Sequence, residues 1–266
     1  MLVCSLGDLL LDVVVRLDAP IAADTDTDAH THVGAGGQAA NVAAWVAALG
    51  DRARFVGKRA RDPAGRVVRD ALLERGVELA GPEVEQGTGT VVSLAHADGT
   101  RSMLSDRGVA VTFAPEELDA AWLDGCDWLH VPAYSLAREP LRATALAAAR
   151  RAPRVSVDLS STAAIEEMGV EILRALLREL RPALVLASQA EAELAGALEA
   201  ETVVVHSASG CVVRDRAGEH EHAAVPAEVV DGTGAGDAFA AGFLLGGYEM
   251  ALRAATRCVS RMGAMP

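Results

Sequence analysis

A glycine-rich stretch near residue 235 combines an anion-binding backbone with a carboxylate. Residues 231–243 read DGTGAGDAFAAGF. Gly234 and Gly236 carry no Cβ, so the main-chain N–H groups around them can converge on an anion. The apolar run that follows predicts a helix, whose N-terminus adds partial positive charge at the same place. Asp237 stands at the start of that helix, in position to take a proton from an attacking hydroxyl during phosphoryl transfer.

Two other interpretations fit parts of this stretch. An Asp after glycines is also a common helix N-cap with a purely structural role, and this alternative stays open. Glycines at 232, 234 and 236 superficially match a dinucleotide-binding fingerprint. That motif opens a βαβ unit and is followed by an acid about 20 residues later. Here little sequence follows in which a further strand could form, so we reject the dinucleotide interpretation.

A second glycine motif opens an alanine-rich segment near the start of the chain. Residues 34–41 read GAGGQAAN. Gly36 and Gly37 at a helix N-terminus permit close approach of a polar ligand. Asn41, one turn into the helix, offers both a donor and an acceptor to hydroxyl groups. Close packing of this helix on a strand explains the glycines equally well from the residues alone.

The elements that must position these motifs alternate between strand and helix. Hydrophobic residues make up 51% of the 266 residues and aromatic residues only 3%, which favours helices packed on a buried sheet. The alternation predicts a mostly parallel sheet covered on both faces. Two β stretches, about 10–34 and 84–110, do not fit that layer and are expected to form a small sheet over its edge, with a hairpin turn at Asp98-Gly99. With no long linker, we expect a single domain over residues 1–266.

Charge and cysteine usage exclude several function classes. A net charge of −13 argues against nucleic acid or an anionic membrane surface as a partner. Lys58 is the only lysine and no GxxxxGK[ST] motif occurs, so a P-loop is excluded. The four cysteines are far apart, and no targeting or membrane-spanning segment is evident. We expect a cytoplasmic protein.

The two glycine motifs, in this order and separated by nearly the whole chain, resemble the signatures of the ribokinase-like (pfkB) family of carbohydrate kinases. The first continues as NVAAWVAALGDRARFVGKRARDPAGRVVRDALLERGVE from Asn41 onward, and the second is DGTGAGDAFAAGF. The resemblance covers essentially the whole chain. It implies a three-layer α/β/α fold with a doubly wound sheet and a β lid. It also implies transfer of the γ-phosphoryl group of ATP, with Mg²⁺, to a hydroxyl of a sugar-like molecule.

The resemblance also assigns roles to residues. Asp237 is implied as the catalytic base. The implied anion hole is formed by Gly234, Ala235 and Gly236. The implied substrate-binding residues are Asp12, Gly36, Gly37, Asn41 and Arg107. Asp231 lies beside a loop where some members bind K⁺, and the lid often mediates a homodimer.

The nucleotide half departs from the family pattern. Residues implied to lie near the nucleotide or Mg²⁺ are Asp158, Ser188, Glu191, Ser207 and Gly210. Where the family usually has Asn-x-x-Glu, this chain has Ser188 to Glu191, and Ser207 replaces a usual glycine. These changes motivate a second hypothesis, a sugar- or nucleoside-binding relative with weak or no catalysis. A nucleoside kinase is a third.

The remaining clusters of histidines and acidic residues do not match the pattern of a metal site. His30 and His32, like His220 and His222, are expected to be solvated residues of polar loops. The acidic residues at 24, 26 and 28 lack the glycine and the distal glutamate of an EF-hand loop. We expect them to form a solvated turn of the lid.

Overall fold

The computed structural model describes residues 1–96 and 100–266, so the predicted turn at Asp98-Gly99 lies outside it. Elements are numbered along the chain. The large sheet comprises β1 (Leu2–Leu6), β4 (Arg52–Val56), β6 (Glu78–Ala80), β10 (Trp128–Pro132), β11 (Val155–Asp158), β12 (Leu184–Ser188), β13 (Thr202–Ser207), β14 (Gly210–Asp215) and β15 (Gly218–Ala223). A small sheet comprises β2 (Leu10–Leu17), β3 (Ala29–Gly36), β8 (Thr88–Ala95) and β9 (Arg101–Gly108). A two-stranded pair consists of β5 (Arg59–Ala60) and β7 (Glu83–Val84).

The helices pack on the two faces of the large sheet. They are α1 (Gln38–Ala48), α2 (Pro63–Glu74), α3 (Tyr134–Ala137), α4 (Leu141–Ala149), α5 (Thr162–Met168), α6 (Val170–Leu180), α7 (Gln189–Ala195) and α8 (Ala235–Val259). Three 3₁₀ turns span Val109–Thr112, Pro115–Glu117 and Ala120–Leu123. None of the helices in the described ranges is long and apolar enough to cross a bilayer.

The order of strands in the large sheet places a switch point at its centre. Over the part of the chain that the structure describes, the order is β15-β14-β13-β12-β11-β10-β1-β4-β6, and the neighbouring strands are parallel except in the β13–β14 and β14–β15 pairs. The chain therefore winds outward in opposite directions from the β1–β10 boundary. In doubly wound sheets the ligand cleft lies beyond the carboxyl ends of the strands at such a point. The prediction of a mostly parallel sheet is confirmed.

Two hydrophobic cores cover the two faces of this sheet. One core includes Trp45 of α1 and Phe239 of α8, both almost fully buried. The other includes Ile165 of α5 and Leu173 of α6. Small side chains make the first core compact, since eight of the eleven residues of α1 are alanine or valine and residues 39–46 are all buried. This packing brings the N-termini of α1 and α8, and hence the two glycine motifs, to the same edge of the sheet.

The small sheet joins two chain segments that are distant in sequence. Its order is β3-β2-β8-β9, with β2 parallel to β8 and the outer pairs antiparallel. The expectation that the two irregular β stretches lie together is therefore confirmed. The interpretation of the histidine pairs as loop residues is wrong: His30 and His32 lie on β3, and His220 and His222 on β15. Both strands are edge strands with mostly exposed polar side chains, and their sequences carry little apolar alternation.

Candidate active site

A cleft of about 590 Å³ lies at the carboxyl ends of the parallel strands, between the large and small sheets. The large sheet and its helices contribute polar groups that include Asp8, Asp158 and Asp237. The small sheet contributes Asp12 and Arg107. The cleft therefore brings together residues from both predicted glycine motifs, from β2 and from β9.

Asp237 is held in the first turn of α8 and faces this cleft. Gly234 is the N-cap of α8 with φ of 78°, and no side chain caps the helix. A Cβ on Gly234 would lie 2.6 Å from Cα of Ala264, so both the backbone angle and the space require glycine here. The first N–H groups of a helix have no partner within the helix. The arrangement places a carboxylate beside an uncapped, partly positive helix end.

The Asp237 carboxylate is buried and makes one side-chain hydrogen bond. Nδ2 of Asn41 donates to its Oδ2 over 2.7 Å, which leaves Oδ1 available to a ligand. Burial raises the pKa of Asp237 well above its usual value, and the nearby charges of Asp158, Asp8 and Asp12 add to the increase. A carboxylate in such a place has a stronger affinity for a proton than an exposed one.

Four buried polar atoms in the cleft have no hydrogen-bond partner within the described residues. They are Oδ1 of Asp8, Oε1 of Gln38, Oδ1 of Asn41 and Oδ2 of Asp158. The amide orientations are determined by their partners, because Nε2 of Gln38 donates to Asp158 over 2.9 Å and Nδ2 of Asn41 to Asp237. The two amide oxygens are thus hydrogen-bond acceptors, and the oxygens of Asp8 and Asp158 are acceptors when these side chains are ionised. Since buried polar atoms are normally satisfied, the cleft is complementary to a ligand rich in donors.

Asp12 and the first glycine motif form one wall of the cleft. Burial, with a contribution from Asp8, raises the pKa of Asp12 to about 6. A Cβ on Gly36 would lie 2.0 Å from the Asp12 carboxylate. Gly37 has φ of 97°, and a Cβ there would lie 2.6 Å from the carbonyl oxygen of Asp8. Gly36 therefore leaves the space that the Asp12 carboxylate occupies, and Gly37 allows the backbone of Asp8 to approach the N-terminus of α1.

Arg107 connects the small sheet to the large one. Its guanidinium contacts the carboxylate of Asp8 and lies 3.7 Å from the ring centroid of Tyr134. The other arginine that lines the cleft, Arg138, pairs with Glu167 over 2.5 Å. Sequence reasoning identified Arg107 but missed three other residues that line the same cleft, Asp8, Tyr134 and Arg138. Asp8 could have been found, because an acid directly after the first buried strand lies at the carboxyl edge of a parallel sheet.

The structure does not place all the residues predicted to lie near the nucleotide or Mg²⁺ in one cavity. Asp158 and Glu191 line the cleft, and burial with the charge of Glu191 raises the pKa of Asp158 to about 7. Ser188 is the N-cap of α7: its Oγ accepts a bond from N of Glu191, and Glu191 Oε2 accepts one from N of Ser188. Ser207 and Gly210 line a separate cavity of about 710 Å³. The structure brings Asp158 and Glu191 to Asp237 but not Ser207 or Gly210.

Asp231 holds the loop that precedes α8. Its Oδ1 accepts hydrogen bonds from N and Oγ1 of Thr233, at 2.9 and 2.7 Å, and its Oδ2 accepts one from N of Gly263 at 3.1 Å. The buried carboxylate therefore links the glycine loop to the C-terminal segment. This contact fixes the backbone from which the anion-binding N–H groups project.

Comparison with known sequences points to one family. The family model described as "pfkB family carbohydrate kinase" matches residues 1–265. The ATP-dependent ribose-1-phosphate kinase of Halopiger xanaduensis is 30% identical over 96% of this chain and 90% of its own length. The fructokinase of Escherichia coli is 30% identical over 79% of this chain and 76% of its own length.

Solved structures share the fold. An adenosine kinase from Sinorhizobium meliloti superposes with a TM-score of 0.88 at 24% identity, over 99% of this chain and 95% of the other. A probable sugar kinase from Rhizobium etli gives 0.89 at 23% identity, over 99% and 94%. A putative ribokinase II from E. coli, solved with ATP and Mg²⁺, gives 0.83 at 20% identity, over 99% and 94%. At these identities the likeness shows the fold alone.

Proposed function

The chain belongs to the pfkB family of carbohydrate kinases and transfers a phosphoryl group from ATP to a sugar-like acceptor, and on that premise we propose that Asp237 is the general base. The observation that carries the proposal is the buried carboxylate of Asp237 beside the uncapped N-terminus of α8, in the cleft that holds the unpartnered acceptors. The purely structural N-cap interpretation is not favoured, because Gly234 occupies the N-cap position.

The proposed reaction uses groups that are already in place. The acceptor hydroxyl donates a hydrogen bond to Oδ1 of Asp237, and Asn41 holds Oδ2. As the hydroxyl oxygen bonds to the γ-phosphorus, its proton passes to Asp237 and the bond from the γ-phosphorus to the β–γ bridging oxygen breaks. ADP leaves with that electron pair. The N–H groups around Gly234, Ala235 and Gly236 stabilise the charge on the transferring group.

Two carboxylates fit a divalent cation on the nucleotide side. Asp158 and Glu191 both line the cleft, and Oδ2 of Asp158 is buried without a partner among the described residues. Mg²⁺ is usually held by one or two carboxylates together with water and phosphate oxygens, which this donor set can supply. The ion, when bound with ATP, neutralises phosphate charge.

The acceptor is proposed to be a neutral polyhydroxylated molecule. The unpartnered groups of the cleft are hydrogen-bond acceptors, which suit hydroxyl donors. Arg107 and Arg138 are each paired with a carboxylate, which offsets the positive charge that would favour a phosphate or carboxylate on the acceptor. A nucleoside base would gain little stacking here, because Arg107 covers the ring of Tyr134. A neutral sugar is therefore preferred over a sugar phosphate, a sugar acid or a nucleoside.

Three further parts of the proposal follow from the family resemblance. The small sheet closes the cleft as a lid and forms a homodimer interface, which the exposure of Val33 and Leu104 supports. K⁺ binds beside Asp231 and supports the glycine loop. A cytoplasmic location is supported by the four free cysteines. Light scattering for the mass in solution and rates with K⁺ replaced by Na⁺ test the first two.

The acidic limb of the pH–rate profile is expected at a higher pH than an aspartate with an ordinary pKa would give. Only ionised Asp237 can accept the proton, and burial raises its pKa, so kcat/KM falls as the pH decreases through the raised value. Initial rates between pH 5 and 9 test this expectation. A profile flat down to pH 5 in the wild type would contradict the assignment.

Asp158 is expected to reduce stability at neutral and higher pH. Its pKa is about 7 in the folded protein, whereas the ordinary pKa of an aspartic acid side chain is 3.8. The folded state therefore retains a proton that the unfolded state releases. Stability is lost as the pH rises from about 4 through about 7. The full difference corresponds to at most about 4 kcal/mol.

The variant Asp158→Asn should accordingly melt about 5 °C or more above the wild type at pH 8. It should melt within about 1 °C of the wild type at pH 4.5, where Asp158 is protonated and neutral. Differential scanning calorimetry of both proteins, with exposed Asp124→Asn as the matched control, measures the effect. Equal melting temperatures of the two proteins at pH 8 would show that the buried carboxylate of Asp158 does not destabilise the folded state.

A further inference from the structure

The end of the cleft around the glycine loop is lined by carboxylates. Among the described residues, no arginine or lysine without an ion-pair partner lines it. Asp158, Glu191 and Asp237 line this end. Arg107 and Arg138, the arginines that line the cleft, are both engaged in ion pairs. A nucleotide polyphosphate is strongly anionic. Beyond any bound metal, it must therefore be held here by neutral hydrogen-bond donors.

His206 supplies an imidazole at this end of the cleft. It is the penultimate residue of β13, and because side chains alternate along a strand it points away from Ser207 and into the cleft of Asp237. A Cβ on Gly236 would lie 3.8 Å from its Cε1 and 4.0 Å from its Nε2. The ring therefore borders the first turn of α8, beside the anion-binding backbone.

The ring is held in position by an aromatic contact. The centroids of His206 and Phe239 are 5.0 Å apart, with an interplanar angle of 36°. Neither ring nitrogen of His206 has a hydrogen bond to any described residue. A packed imidazole with unused nitrogens, directed at an anion-binding helix end, is a preorganised donor.

The imidazole is neutral at physiological pH. Burial lowers the pKa of His206 to about 4, and no carboxylate is paired with the ring. The titratable groups that face this end of the cleft are Asp158, Glu191 and Asp237, from β11, α7 and α8. A neutral imidazole carries one N–H donor and one acceptor nitrogen. It can bind a phosphate oxygen without gaining a proton.

We propose that the ring N–H of His206 donates a hydrogen bond to the polyphosphate of the nucleotide bound at the N-terminus of α8. This inference rests on the proposed function, in which ATP occupies that end of the cleft. His206 thereby makes affinity depend on the number of phosphates: it contacts the part of the nucleotide that AMP lacks. Its effect is on nucleotide binding, with the acceptor site unchanged.

The test compares nucleotide affinities in two variants. Calorimetric titrations of MgATP, MgADP and AMP are run on the wild type, His206→Leu and His206→Gln. His206→Leu keeps an apolar contact with Phe239 but removes the donor, and it should weaken MgATP and MgADP about tenfold while AMP changes less than about twofold. His206→Gln retains an N–H donor and should stay within about threefold of the wild type for all three.

Several outcomes overturn the inference. Wild-type affinities in His206→Leu would show that the ring does not touch phosphate, and an equal loss for AMP and MgATP would show a packing role. Exposed His220→Leu is the matched control and should bind all three normally. If His206→Leu does not fold, the ¹⁵N NMR chemical shifts of the wild-type histidine rings are measured with and without MgADP. Unchanged shifts of the His206 ring would refute its hydrogen bond to the polyphosphate. If ATP does not occupy this end of the cleft, so that the premise of the inference fails, the result is different because the wild type itself binds no MgATP.

Discussion

Replacing Asp237 by Asn is expected to lower kcat by about 10²–10⁴-fold, the usual contribution of a positioned general base. The amide keeps the shape of the side chain and can still face Asn41, but it cannot accept the hydroxyl proton. The acceptor KM should change by less than about threefold, because the other cleft groups remain. Because the buried carboxyl has a raised pKa, its removal should leave the fold intact.

The measurement is steady-state ADP release at saturating MgATP and acceptor. Exposed Asp215→Asn serves as the matched control for a lost carboxylate and should retain wild-type turnover. A melting curve of Asp237→Asn separates lost chemistry from lost structure. Turnover of the folded variant within a few-fold of the wild type would refute Asp237 as the base.

Asp12→Ala is expected to lower kcat/KM for the acceptor by about 10- to 100-fold, the effect of losing a hydrogen bond to a charged group. The Asp12 carboxylate lies against Gly36 and has no hydrogen-bond partner among the described residues, so its oxygens are free for acceptor hydroxyls. The KM for ATP should not change, because Asp12 belongs to the small sheet and not to the glycine loop of α8.

A second substitution should have the same effect without removing the carboxylate. In Gly36→Ala the new methyl group would lie 2.0 Å from the original position of the Asp12 carboxylate and must displace it. Asp26→Asn, in the exposed turn between β2 and β3, is the matched control. Acceptor kinetics that match the wild type in both Asp12→Ala and Gly36→Ala would exclude this wall from the acceptor site.

Much of the large sheet was predictable because its strands are short apolar runs with clear breaks. The first four residues of Leu184–Ser188 are apolar and buried, as expected for a strand covered on both faces, whereas Val155–Asp158 is fully buried although valine alternates with Ser156 and Asp158. Ala29–Gly36 was predicted only as part of an irregular β stretch and Gly218–Ala223 was not predicted as a strand, because both segments are polar and mostly exposed. Their strand conformation comes from pairing with β2 and β14, which periodicity within one segment does not reveal.

The prediction of helix boundaries depended on how clearly glycines mark a break in the sequence. The sequence pattern over Ile165–Leu180 predicts one helix, but the structure divides it at Gly169, whose φ is 88°. The pattern also predicts a separate helix beginning at Glu249, and the structure confirms this break as a kink at Gly246 and Gly247. At Gly169 the break depends on a positive φ that the hydrophobic pattern does not reveal, whereas two adjacent glycines mark the break before Glu249 in the sequence.

The candidate site was predictable where a motif fixes local geometry. Gly234 and Asp237 lie within one turn of each other, so their relation follows from the helix start alone. The pairing of Arg107 with Asp8, and the approach of His206 to α8, join segments far apart in sequence. Such contacts depend on the sheet order and on which face of a strand a side chain occupies. Ser207 faces the other cavity for the same reason.

The most direct test of the central claim is acceptor-dependent ADP release by the wild type with MgATP. The panel comprises neutral pentoses and hexoses, sugar phosphates, sugar acids and nucleosides, each at the same concentration. We expect ADP release with at least one neutral sugar, weaker release with the anionic and nucleoside acceptors, and none with Asp237→Asn. Folded protein that binds a sugar by calorimetry but releases no ADP with any acceptor would contradict the kinase assignment.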